Sequence, residues 1–277
     1  MPGTLYIVAT PIGNLEDMTY RAVRILGEVD LIAAEDTRHS LKLLNHFGIS
    51  KPLTSYFDHN QQLKGEKILH ALRQGKSVAL ISDAGTPCVS DPGFNLVRDA
   101  VAEHIPVIAI PGPCAAITAL SGSGLPSDTF TFSGFPPSRQ AKRRAFLSDL
   151  RTLPGTLVLY EAPHRLESAL LDIREVMGER KIVVARELTK IFEEFIRGTV
   201  SEVIAGVTQG KVRGEVVILI AAGEPEAVGE KSLDLVLQEL LSDGHLSVRD
   251  AAKKAADITG SSRSEAYTEA LKLRNYA

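Results

Sequence analysis

Apolar residues come in short runs along the first 125 or so positions, and most runs are followed by a stretch with apolar residues every three or four positions. "TLYIVAT" (4–10), "DLIAAED" (30–36), "SVALISDAG" (77–85) and "PVIAIPG" (106–112) have continuous apolar centres, with a weaker run at "PLTSYF" (52–57). Between them "TYRAVRILGEV" (19–29), Thr37 to Phe47, Asn60 to Gln74 and residues 93–103 carry the helical period, and another helix runs from Cys114. Apolar strands without polar alternation, separated by helices, predict a parallel sheet covered on both faces and so an open α/β domain.

"GSGLPSD" (122–128), rich in Gly, Pro and Ser, reads as a linker. Beyond it come strands at "TFTFSGF" (129–135), "GTLVLYEA" (155–162), "KIVVARE" (181–187), "FEEFIRGTV" (192–200) and "GEVVILIAAG" (214–223), with helices from Ser138 and from Pro163 to Met177. Strands 181–187 and 192–200 are too close in sequence for a crossover helix, which predicts antiparallel pairing in a mixed sheet. The polar "EPEAVGEKS" (224–232) reads as a second linker, followed by two or three helices. The expected organisation is an α/β domain with a parallel sheet (1–124), an α/β domain with a mixed sheet (125–226) and a helical extension (227–277).

With 277 residues, 44% of them hydrophobic and 23% charged, the chain has the make-up of an ordinary globular protein. Its net charge of −3 argues against non-specific coating of nucleic acid but leaves room for a local basic patch, and "SRQAKRR" (138–144) is the densest one. Cys88 and Cys114 form no disulfide framework or CxxC pair, so a reduced, cytoplasmic setting is expected. The N-terminus shows no signal peptide, and no apolar run is long enough to span a bilayer.

The loops that end the first domain's strands hold the candidate chemistry: "TPIGNL", "AEDTRH", "SDAGTPCVSDPG" and "PGPCAAITA". In a doubly wound sheet these carboxyl ends face one edge, where ligands bind. Gly and Pro in any one loop can simply make a turn; four such loops together point to a site. The G-x-G-x-x-G fingerprint is absent, "QGKS" (74–77) has His70 where a phosphate loop needs its first Gly, and G-x-S-x-G is absent. The seven histidines have no metal-binding spacing, so no metal is implied. What remains is backbone brought close to a ligand by Gly85, Gly93 and Gly112, with the carboxylates of Asp83 and Asp91.

"TPIGNLED", "AAEDTRHS", "SDAGTPCVSDPG", "PGPCAAITALSGSGLPSD", "GFPP", "YEAPHR" and "ARELTK", in this order, closely resemble the ribosomal RNA small subunit methyltransferase I family. That family lies within the tetrapyrrole-methylase-like, class III S-adenosylmethionine-dependent methyltransferases. The resemblance implies two α/β domains with a cofactor cleft between them, and a helix-turn-helix-like C-terminal extension. It also implies S-adenosyl-L-methionine as donor, and a homodimer that methylates a cytidine 2′-oxygen in the decoding region of 16S rRNA within the small ribosomal subunit. By the same resemblance Pro11, with Gly13 beside it, matches the cofactor-contacting first loop. Ala84, Gly85, Thr86 and Val89, next to Asp83, match the loop around the methionine part. Cys114 and Ala115 fall where the superfamily has a Thr-Ala pair, and Thr118 is the nearest hydroxyl. Glu161 and Leu188, with Tyr160 as neighbour, match second-domain contacts to the nucleoside.

A ribose hydroxyl must lose its proton as it is methylated, and the candidates to take it or to stabilise the oxyanion are Glu35, Asp36, Glu161, His164, Glu187 and Lys190. Lys190 beside Glu187 suits oxyanion stabilisation; with Arg186 the same residues can equally form a structural ion-pair cluster. Asp36 or Thr37 can cap the following helix while Arg38 projects to RNA phosphate. Arg139, Lys142, Arg143 and Arg144 form either an RNA-binding face or a solvated one, and Arg165 is a further RNA candidate. Arg249, Lys253, Lys254, Arg263, Lys272 and Arg274 of the extension either bind RNA or belong to a packed cap. Two competing functions are methylation of a small molecule or protein side chain, and a non-catalytic ribosome-assembly factor. The basic cluster and the extension favour RNA over a tetrapyrrole, and the intact cofactor loops argue against a pure binding module.

Overall fold

The computed structural model describes residues 2–57, 60–208, 214–223, 233–242 and 246–275, and divides into two compact units, Met1–Ala222 and Gly223–Ala277. The first unit opens with β1 (Leu5–Val8), α1 (Tyr20–Glu28), β2 (Leu31–Ala34), α2 (Thr37–His46), β3 (Leu53–Ser55), α3 (Gln61–Arg73), β4 (Val78–Ile81), α4 (Phe94–Ala102), β5 (Val107–Ile110) and α5 (Ala115–Ser123). The five strands are all parallel, in the order β3-β2-β4-β1-β5. Successive side chains of a strand point to opposite faces. Val8, Ala79 and Ile81 accordingly meet Ile25, Leu26 and Leu44 of α1 and α2, whereas Leu5, Ile7, Val78 and Leu80 meet Ile68, Leu72 and Leu96 of α3 and α4. From β1 the chain moves outward through β2 to β3; it then returns through β4 and crosses to β5. Right-handed crossovers place the outgoing and returning helices on opposite faces, so the direction reverses between β1 and β4.

α5 does not cover the sheet it follows. Ala116, Ala119 and Leu120 pack against Val158, Val183, Ala185, Val217 and Leu219 of the second sheet, together with Ile12 and Leu188. That sheet comprises β6 (Phe130–Phe132), β7 (Thr156–Glu161), β8 (Lys181–Arg186), β9 (Glu194–Thr199) and β10 (Val216–Ile220), in the order β6-β7-β10-β8-β9. Only β6 and β7 are parallel, and β8–β9 is the antiparallel pair expected from their short separation. The stretch read as a linker is anchored to this sheet, since the Arg197 guanidinium donates to the Gly122 (2.6 Å) and Ser123 (3.0 Å) carbonyls. Both sheets thus lie in one compact unit.

The other face of the second sheet packs against α6 (Gln140–Leu150), α7 (Leu166–Met177) and α8 (Val200–Thr208). The sequence reading passed over α8 although its start is signalled. The Glu202 carboxylate accepts from Thr199 N–H (2.8 Å) and the Thr199 hydroxyl accepts from Glu202 N–H (3.3 Å), a capping box. Asp172 on α7 is fully buried and accepts from Gln140 (3.2 Å), Arg143 (2.7 Å) and Arg144 (2.7 Å) of α6.

In the second unit α9 (Leu233–Ser242), α10 (Val248–Thr259) and α11 (Arg263–Asn275) enclose one apolar cluster, with Ser247 capping α10. Arg249, Lys253, Lys254 and Arg263 are exposed and Lys272 pairs with Glu269; the predicted linker 224–232 and the Arg274 side chain lie outside the described residues. No described helix is long and apolar enough to cross a membrane.

Candidate active site

The loops after β1 and β4 leave the sheet where its winding reverses, which is where a doubly wound sheet opens a crevice. A two-way bridge ties them together: Thr10 N–H donates to the Gly85 carbonyl (2.9 Å) and Gly85 N–H to that of Thr10 (3.0 Å). The loop after β2 joins through Asp83 N–H to the Glu35 carboxylate (3.4 Å) and Asp36 N–H to that of Asp83 (3.1 Å). The loop after β5 joins through the Thr86 hydroxyl, which donates to the Pro113 carbonyl (3.1 Å). The second sheet closes the opposite side. Cys114 gives α5 no side-chain cap; instead the Tyr160 hydroxyl accepts from Ala116 N–H (3.1 Å), satisfying a donor of the first turn.

These elements enclose a cavity of about 400 Å3. Ile12, Ala84, Val89, Ala115, Tyr160 and Val217 supply apolar wall, and Glu35, Asp83, Asp91, Glu161 and Glu215 supply carboxylates; among the described residues no cation lines it. Burial pushes the Asp91 carboxyl up to about 6, with Glu35, Asp83 and Glu215 adding to the effect and a hydrogen bond from Ser82 opposing it. Burial likewise raises the Tyr160 phenol, so it serves as a neutral hydroxyl, edge-on to Phe132 (4.8 Å) and Phe135 (5.4 Å). The Cys88 thiol is raised by burial and by Asp91, the reverse of what an activated nucleophile needs.

A second cavity of about 360 Å3 shares Ile12, Asp83, Ala84 and Glu215 with the first, and adds Pro11, Gly13, Leu15, His39, Lys42, Leu43 and Lys190. Lys190 donates to Glu187 (2.9 Å) and stands 3.9 Å from Glu215. The loop holding this pair is strained: Glu187 (φ 49°) and Thr189 (φ 65°) are both left-handed, which costs roughly 1–3 kcal/mol per residue. Two glycines make space for it. A Cβ on Gly13 would lie 2.6 Å from Lys190 Cγ, and one on Gly214 would overlap the Glu187 carboxylate.

Glu35, Asp83, Ala84, Gly85, Thr86, Val89, Cys114, Ala115, Tyr160 and Glu161 therefore come together around the first cavity, and Pro11, Gly13 and Lys190 around the second. The room at Gly13 receives Lys190. The structure places the other candidates away from the two cavities. Leu188 is buried in the core between α5 and the second sheet, and Thr118, one turn along α5, lines neither cavity. Asp36 caps α2 by accepting from Arg38 N–H (2.8 Å) and pairs with the Arg38 guanidinium (3.2 Å), leaving Arg38 itself 91% exposed. His164 is exposed on a 3-10 turn and lines neither cavity. Arg165 is committed to Glu161 (2.8 Å) and the Pro136 carbonyl (2.6 Å), so it is not a free RNA contact. Arg143, only 4% exposed, and Arg144 clamp α6 to α7 through Asp172, which leaves Arg139 and Lys142 as the exposed cations of that cluster. Sequence reasoning missed Glu215, which lines both cavities from just before β10, and His39 and Lys42, whose signal was their three-residue spacing on one helical face.

The chain matches the family model of the tetrapyrrole (corrin/porphyrin) methylases over residues 4–204, and that of the RsmI C-terminal HTH domain over residues 227–274. Solved structures share the fold. Diphthine synthase superposes with TM-score 0.63 at 15% identity, covering 79% of this chain and 90% of its own. Uroporphyrin-III C-methyltransferase from Thermus thermophilus, complexed with S-adenyl homocysteine, superposes with TM-score 0.55 at 19% identity, covering 79% and 97%. Fold and family model together define a methyltransferase of the tetrapyrrole-methylase class. Proteins named ribosomal RNA small subunit methyltransferase I are similar along nearly the whole chain. That of Pseudomonas aeruginosa is 49% identical over 97% of both chains, and that of Escherichia coli O157:H7 is 47% identical over 97% of this chain and 95% of its own. The chain belongs to the ribosomal RNA small subunit methyltransferase I family, whose methyl donor is S-adenosylmethionine. The first cavity fits that donor: carboxylates without a lining cation suit a sulfonium and an ammonium, and the apolar wall suits its uncharged parts.

Proposed function

We propose that the chain methylates the 2′-oxygen of a cytidine in the decoding region of 16S rRNA, within the small ribosomal subunit, as a cytoplasmic homodimer. The observation that carries the 2′-oxygen is the Glu187–Lys190 pair, held against Glu215 where the donor cavity meets its neighbour. When bound, S-adenosylmethionine supplies an electrophilic methyl group and a neutral leaving group, so what the chain must add is placement and exclusion of water. Ile12, Ala84 to Thr86 and Ala115 form the wall against which the donor is positioned. The acceptor hydroxyl loses its proton as its oxygen takes the methyl group. Lys190, oriented by Glu187, stabilises the charge developing on that oxygen. Glu215 and Glu35 are the carboxylates nearest in role to a general base, an effect that typically contributes 10²–10⁴-fold. Exposed Arg139 and Lys142, with Arg38, offer charge to the RNA backbone. Exposed Ile108 on β5 and Ile117 on α5 offer apolar surface to a second copy.

Labelled S-adenosylmethionine incubated with small subunits lacking the modification tests this directly. Label should enter the ribose of one cytidine, and subunits already modified should take up none. No transfer to unmodified subunits would refute the reading; label on a base would refute the 2′-oxygen.

A further inference from the structure

The two cavities share a wall but differ in charge. The first is lined by five carboxylates and no described cation, as a cationic donor requires. The second carries His39, Lys42 and Lys190 together with the shared Asp83 and Glu215. Lys190 is engaged by Glu187, whereas His39 and Lys42 are exposed and form no ion pair among the described residues. Both stand with Leu43 on one face of α2, and α2 is fixed to the donor loop by the Asp36 N–H bond to Asp83. Leu15 and Leu43 add apolar surface to the same walls. A lysine and a histidine that form no ion pair among the described residues, held on one helix and lining the same cavity as an oxyanion-stabilising lysine, match an anion carried next to the reacting oxygen.

We infer that the second cavity is the subsite for the acceptor nucleotide, in which Lys42 and His39 grip the phosphodiester beside the ribose being methylated. This rests on the RNA reading above. A ribose 2′-oxygen lies next to its own 3′-phosphate, so a nucleotide that places the oxygen at Lys190 brings a phosphate along the same wall. Lys42 supplies the charge and His39 a ring N–H. Asp83 and Glu215, on the shared wall, repel the phosphate from the donor cavity and so help set the nucleotide's direction.

The test compares wild type with His39→Ala/Lys42→Ala, with Lys42→Arg, and with Lys67→Ala on α3, which packs against the opposite face of the sheet. Steady-state methylation of unmodified small subunits is measured together with equilibrium subunit binding across a salt series and calorimetric titration of S-adenosylhomocysteine. The double variant should raise KM about tenfold, the effect of one lost charge-assisted contact. It should lower the slope of log affinity against log salt by about 1. Its kcat and its S-adenosylhomocysteine affinity should stay near wild type. Lys42→Arg should restore most of the loss, and Lys67→Ala should change nothing. Unchanged KM and salt slope in the double variant, with an active wild type, overturn the inference alone. Loss of S-adenosylhomocysteine binding also overturns it, by assigning these residues to the donor. A wild type that methylates no unmodified subunit overturns the RNA reading and this inference with it.

Discussion

Gly13→Ala should cripple turnover although Gly13 has no side chain to react. The Cβ it adds would lie 2.6 Å from Cγ and 2.8 Å from Cε of Lys190, and 3.0 Å from Thr189 Oγ1. Because Cγ lies near the root of the side chain, rotating its tip does not relieve the clash. The whole of Lys190 must leave, breaking its 2.9 Å bond to Glu187. One positioned oxyanion donor is worth about 10²–10³ in kcat, or roughly 2.7–4 kcal/mol, and that is the loss expected. The assay is kcat and KM on unmodified subunits for Gly13→Ala, Lys190→Ala and the double variant, with S-adenosylhomocysteine titration on each. The double variant should be no worse than Lys190→Ala, because both changes remove the same interaction. Additive losses, or a Gly13→Ala protein with normal kcat, would refute the reasoning. If Gly13→Ala loses S-adenosylhomocysteine binding and Lys190→Ala keeps it, Gly13 serves the donor and not the lysine.

Asp172→Ala strands the buried Arg143 guanidinium and should cost about 3–5 kcal/mol in urea unfolding, with Arg143→Met/Asp172→Leu recovering much of it. Asp91, raised to about 6 by burial and by Glu35, Asp83 and Glu215, with Cys88 and Tyr160 also close, favours the folded state while protonated. Its contribution is whole below its ordinary value of 3.8 and lost as pH rises through about 6, so Asp91→Asn should flatten the fall in melting temperature across that window. Over the same interval wild type should gain affinity for the cationic S-adenosylmethionine, and the variant should not. Tyr160→Phe leaves Ala116 N–H without its acceptor and should cost about 1 kcal/mol of stability, measured by thermal unfolding, with weaker S-adenosylhomocysteine binding.

The first sheet was legible because buried parallel strands are apolar throughout, and runs such as Val78–Ile81 admit no other reading. The four loops were legible because strand ends of such a sheet converge by topology. What local pattern does not carry is allegiance across the chain. Arg143 looks like its neighbour Lys142, yet it is buried because Asp172 sits 29 positions later on a packed helix. α5 is apolar on most sides, so its sequence does not say which sheet it covers. Leu188 lay in a recognisable motif, but its side chain turned to the core while Lys190, two positions on, turned to the cavity. Glu215 marks the start of an apolar strand and nothing local links it to a lysine 25 positions earlier.

The placement of α5 also governs how this protein can be cut and recombined. By sequence the helix closes the first half, but its apolar side chains are fitted to the second sheet. Exchanging everything after residue 124 for a relative's sequence would set foreign side chains against Ala116, Ala119 and Leu120 and leave the Arg197 anchors to chance. A seam between β5 and α5 keeps that packing intact and moves the helix with the sheet it serves. Chimeras joined there should be more stable than those joined at the apparent linker, so the transferable unit built on the second sheet begins before Cys114.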